Sequence, residues 1–106
     1  MFINEDHRRM LIEWISDEPF RQAKVVIAKS SDPIGNHYHL KKDEKFLLLS
    51  GKAISVQIGD SECSNIVGPH LFEVPAGAFH TFILEPGSIL LGVATQPHDP
   101  EDEIRA

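Results

Sequence analysis

Hydrophobic and polar positions alternate along this chain in short runs separated by turn residues. From Lys52 to Ile58 the alternation is cleanest, with Ile54, Val56 and Ile58 on one side and Ser55 and Gln57 on the other. That is the period-two pattern of a strand with one buried face. The runs Lys24 to Lys29, Lys45 to Ser50, Leu71 to Val74 and Ser88 to Thr95 are rich in apolar residues and predict further strands. Ala78 to Leu84 is apolar on both sides except for His80 and Thr81, as expected of a strand covered on both faces or lining a pocket. Between these runs stand Asp32-Pro33, Ser50-Gly51, Gly59-Asp60, Gly68-Pro69, Pro75-Ala76-Gly77 and Glu85-Pro86-Gly87, all turn signals. The spacing leaves no room for a long helix and predicts a single-domain, all-β sandwich or barrel. Met10 to Ile15 fits one helical turn or a strand, and a strand is expected in these surroundings. From Gln96 onward the chain is acidic and broken by proline, so residues 97–106 are expected to form a solvated or loosely docked tail.

The chain has 106 residues, 42% of them apolar, enough for one core. Ten Lys and Arg against sixteen Asp and Glu give a formal net charge of −6. That balance argues against a nucleic-acid partner and against a polybasic membrane patch. The longest apolar stretch, Ile89 to Ala94, is far shorter than the roughly 20 residues of a membrane span. Asn4, Glu5, Asp6 and His7 stand where the apolar part of a secretory leader would be. With a lone Cys63 this points to a reducing, cytoplasmic setting.

Candidate chemistry gathers around three of the six histidines. His37 and His39 are two apart, so on a strand both rings leave the same face. Glu44 follows closely enough to curl back onto that face, and His80 lies on a different predicted strand, after the Pro75-Ala76-Gly77 turn. Three neutral imidazoles and a carboxylate suit one divalent transition metal (Fe, Mn, Zn or Ni) better than Mg or Ca. Singly, each residue has a bland account: a surface pair, a charged loop from Lys41 to Lys45, a core histidine between Phe79 and Phe82. Together they favour a metal site. His7, His70 and His98 lie in turns or tails, and Cys63, in a polar turn from Asp60 to Asn65, has no histidine placed to activate it. Tyr38, between the paired histidines, faces away from them. Phe46, Leu48 and Phe82 are candidates to line a pocket, and Trp14 is a candidate to stack on a ligand ring.

Gly35, His37, His39, Glu44 and Gly51 resemble the first motif of the cupin family, and Pro75, Gly77 and His80 resemble its second, Pro-x-Gly-x-x-His. The likeness covers roughly Pro33 to Leu84. Ser31 stands where the first motif usually has glycine, and Leu84 where the second has asparagine; neither position is a metal ligand. The resemblance implies a jelly-roll β-barrel over residues 1–96, with His37, His39, Glu44 and His80 holding the metal. The segment from Gly35 to His39 also resembles small cupins of nucleotide-sugar metabolism, among them ketoisomerases and epimerases, in which paired histidines move protons and a metal is often absent. Glu44 and His80 make this chain look like a metallated relative.

The resemblance therefore implies an isomerase or epimerase acting on a small carbohydrate-like substrate, with the metal polarising a carbonyl. The alternatives are an Fe(II)-dependent dioxygenase and a non-catalytic module that binds a small ligand. Small cupins also pair through an N-terminal strand, which makes residues 1–15 a candidate for exchange in a homodimer.

Overall fold

The computed structural model describes residues 1–15 and 19–105. Their order is β1 (Phe2–Glu5), β2 (Met10–Glu13), β3 (Gln22–Ile27), β4 (Ile34–His39), β5 (Glu44–Ser50), β6 (Lys52–Ile58), β7 (Ser61–Val67), β8 (His70–Val74), β9 (His80–Leu84), β10 (Ile89–Ala94), a 3₁₀ turn at Pro100–Asp102, and β11 (Glu103–Arg105). The predicted strands are present, with bounds shifted by one or two residues. None of the described helices is long and apolar enough to cross a membrane.

The strands form three antiparallel sheets: a β1-β2 hairpin, a four-stranded sheet β3-β10-β5-β8, and a five-stranded sheet β11-β4-β9-β6-β7. None of the three closes into a barrel. One core joins the two larger sheets, with Phe46, Leu48, Phe72, Val74 and Leu90 from one meeting Ala53, Val56, Phe82 and Leu84 from the other. On β9 the inward set is His80, Phe82 and Leu84, so the strand that carries the core also carries a histidine at its start.

Four details depart from the expectations. The alternation in β6 is broken by a bulge between Ala53 and Ser55, so Ala53 and Val56 enter the core and Ile54 stays only half-buried. The polar run from Asp60 to Asn65 is mostly strand β7 and not a turn; its Ser and Glu side chains face solvent, and Cys63 packs half-buried on the core opposite Val56. The stretch before Met10 supplies a strand of its own, β1, which pairs with β2. The acidic tail is not loose: Glu103, Ile104 and Arg105 pair with His39, Tyr38 and His37. Asp102, 4% exposed, accepts hydrogen bonds from the backbone N–H of Leu40 (3.0 Å) and Lys41 (2.8 Å). A buried carboxylate compensated by two backbone donors ties this end down where composition alone suggests solvation.

Candidate functional site

The site forms where the two large sheets face each other. On β4, Gly35 (φ +91°) and Asn36 (φ +60°) produce a bulge against β9, after which His37 stands directly opposite His80. Gly35 also gives the His80 ring its room, because a Cβ there would lie 3.0 Å from the His80 carbonyl oxygen and 3.3 Å from its ring. His39, two residues beyond His37, leaves the same face, and Tyr38 is half-buried on the other. Glu44 opens β5 in the opposite sheet, beside the start of the core rather than in a solvated loop.

Three histidines from one sheet therefore meet a carboxylate from the other. The His37 ring lies 4.7 Å from that of His39 and 4.6 Å from that of His80, centroid to centroid. Glu44 Oε1 is 3.2 Å from His39 Nε2 and 3.7 Å from His80 Nε2. All four residues are buried, none more than 9% exposed. Burial pushes each of the three imidazoles below its ordinary pKa of 6.5, since a charged ring is poorly solvated there. On His37 the neighbouring His80 adds to the effect, while on His39 and His80 the Glu44 carboxylate opposes it. At neutral pH the three rings are neutral donors.

The donor set fits a divalent transition metal. One ligand atom from each histidine lies within 4.8 Å of the others, close to the roughly 4.2 Å that two metal–nitrogen bonds span end to end. His39 Nδ1 and Nε2, His37 Nδ1 and Glu44 Oε1 are buried with no aligned hydrogen-bond partner, a condition that costs free energy unless another group meets them. His80 Nδ1 lies 3.4 Å from the Ala78 carbonyl oxygen; with its proton there, Nε2 turns a lone pair toward Glu44.

Beside the histidines is a narrow cavity of about 60 Å³, walled by His37, His80, Lys24, Phe46, Phe82 and Leu90 among others. Phe46 and Phe82 line this cavity. Leu48 is sealed in the core at 0% exposure and does not reach the cavity. Trp14 lines a separate depression with Ala23, Val25, Leu91 and Val93, so within one chain it does not face the site.

Two further residues belong here that sequence reasoning missed. Lys24 Nζ lies 3.4 Å from Glu44 Oε2. Glu103 Oε1 lies 3.4 Å from His37 Nδ1, and Arg105 holds Glu103 Oε2 at 3.1 Å while donating to the Gly35 carbonyl oxygen. No local motif marks either carboxylate or lysine; both arrive through strand pairing across more than sixty residues or a sheet crossing.

The sequence search of curated proteins finds no match. Among solved structures, the chain is similar to the capsular polysaccharide assembling protein CapF of Staphylococcus aureus, at 25% identity and TM-score 0.68, covering 98% of this chain and 33% of that one. This chain thus spans about a third of the length of CapF. It is also similar to the QdtA 3,4-ketoisomerase of Thermoanaerobacterium thermosaccharolyticum, determined as a double mutant with TDP, at 25% identity and TM-score 0.80 over 98% and 82% of the two chains. The 3'-monoepimerase ChmJ of Streptomyces bikiniensis, with dTDP-quinovose, shares the fold at TM-score 0.82 and 18% identity, over 96% and 64%. A family model matches residues 4–71, a span that includes His37, His39 and Glu44. With that span well over half of its length, the chain belongs to the polysaccharide biosynthesis C-terminal domain family.

Proposed function

We propose that this domain holds a divalent transition metal and isomerises or epimerises a nucleotide-linked sugar, on the jelly roll that the cupin resemblance implies. The observation that carries the reading is the convergence of His37, His39, His80 and Glu44 on one another, all buried, with His37 and His80 lining the cavity. The similar ketoisomerase and epimerase support the substrate class; none of the structures named above supports an Fe(II)-dependent dioxygenase.

Moving a ketone to the neighbouring ring carbon requires a base to take that carbon's proton, stabilisation of the resulting enediolate, and return of a proton to the former carbonyl carbon, with the hydroxyl proton passing from one oxygen to the other. A metal bound here supplies a Lewis acid for the ketone oxygen. His37, His39, His80 and Glu44 would hold it. Their neutral imidazoles are free to donate at neutral pH because burial has already removed the competing proton. Phe46, Phe82 and Leu90 keep water from the cavity, which strengthens every charge interaction inside it. At about 60 Å³ the cavity takes the reacting edge of a sugar ring, far below the ~300–1,000 Å³ of a pocket for a whole ligand, so the nucleotide lies outside it.

The test is proton exchange. A TDP-linked 4-keto-6-deoxyhexose is incubated with metal-loaded protein in D2O and followed by NMR. Exchange beside the ketone, lost in a folded Glu44→Gln variant, is expected; no exchange by metal-loaded protein overturns the reading and leaves a binding module.

A second reading has its own observation, the 3.4 Å approach of Glu103 to His37 Nδ1. A carboxylate there favours the protonated ring, so His37 Nε2 would itself take the substrate proton without a metal. Exchange that survives exhaustive chelation and disappears in Glu103→Gln favours this alternative.

The assembly expected is a homodimer. The hairpin and β3 leave Phe2, Ile3, Met10, Val25 and Ile27 between 43% and 64% exposed, apolar surface that a second copy's N-terminal residues would cover.

A further inference from the structure

We propose that Lys24 is a positioning residue of this site: it pins one oxygen of Glu44 so that the other faces the histidines. The inference rests on the metal-holding reading above and goes beyond it by assigning a residue outside the ligand set.

Lys24, Gly92 and Phe46 stand in one row across β3, β10 and β5. Phe46 in that row faces the core, and Lys24 points the same way, into the cavity it lines. Gly92 leaves the middle of the row bare. A Cβ there would lie 2.9 Å from Phe46 Cε1 and 3.1 Å from Lys24 Cε, so the lysine stem lies directly over the glycine backbone. This path brings Nζ to 3.4 Å from Glu44 Oε2 and 5.3 Å from the Phe46 ring centroid.

The consequence is a division of labour between the two carboxylate oxygens. Oε2 meets the ammonium, and Oε1 remains near His39 Nε2 and His80 Nε2 with no aligned hydrogen bond. A carboxylate 1% exposed needs a nearby cation. The Lys24 side chain, 38% exposed, provides one without giving up its own hydration. Held in this way, Glu44 offers a single fixed oxygen to whatever the three imidazoles bind, as outer partners do for metal-ligating carboxylates.

The experiment titrates Co(II) into metal-free wild type, Lys24→Met, Lys24→Arg and Glu44→Gln, reading affinity by calorimetry and coordination by visible absorption. Lys24→Met is expected to bind Co(II) about 10- to 100-fold more weakly and to shift the absorption toward that of Glu44→Gln. Lys24→Arg keeps the charge and the donors and restores most of both. Folding of each variant is checked by circular dichroism. Wild-type affinity and spectrum in folded Lys24→Met, or tighter binding, overturns the inference while leaving the metal site standing. A wild type that binds no Co(II) overturns the metal-holding reading itself, and this inference with it.

Discussion

His39 has both ring nitrogens buried without an aligned partner, which a folded protein tolerates only where something else is to be bound or where function requires it. The same residue shows what pH must do. Burial lowers the pKa of His37, His39 and His80 below 6.5 in the folded state. Between the folded values and 6.5 the unfolded chain therefore binds more protons than the folded one, and stability rises with pH there. Metal-free protein is expected to hold its full stability above about pH 6.5 and to lose it progressively below. Urea midpoints from pH 8 down to pH 5 check this; greater stability on acidification contradicts it. The His pair and Glu44 were legible in the sequence because their spacing is local. Glu103 and Lys24 were not, since the register of β11 on β4 and the glycine gap on β10 exist only once the sheets have assembled.

Elements hold the site through their ends. Gly51 joins β5 to β6 at φ +90°, and any Cβ there would overlap the Ser88 side chain; Ser88 Oγ in turn accepts from the Lys52 N–H at 3.1 Å. Gly51→Ala is expected to cost at least about 2 kcal/mol, through backbone strain and overlap together, read by urea denaturation. The C-terminal strand is held by Asp102, and Asp102→Ala takes the carboxylate acceptor from the Lys41 N–H and leaves the Leu40 N–H only the backbone carbonyl of residue 102, at 3.2 Å. A loss of about 1–3 kcal/mol is expected, together with weaker order around His37; no change in stability would contradict the clasp. Here the sequence misled in a definable way. Acidic residues and prolines describe solvation until one carboxylate finds two backbone N–H groups, and the polar strand β7 read as a turn because only Cys63 and Ile66 of it pack on the core. A bulge, likewise, moves one register without leaving a trace in composition, which is why Ala53 and not Ile54 joins Val56 in the core.

At the scale of the molecule, two open sheets enclose one core and leave an N-terminal hairpin with apolar residues in solvent. Light scattering is expected to show a dimer at micromolar concentration, and a variant lacking residues 1–13 a monomer; a monomeric wild type rules the pairing out. The all-β class was legible from turn spacing, whereas closure was not, because periodicity reports which face a strand buries and says nothing of which strands meet. The central claim concerns the cluster between the sheets. Elemental analysis of protein purified without chelator or affinity metal, beside a His37→Ala, His80→Ala double variant, tests it most directly. The account predicts close to one divalent transition metal per wild-type chain and none in the folded double variant. A wild type that stays metal-free after loading with Fe, Mn, Zn and Ni in turn would contradict it.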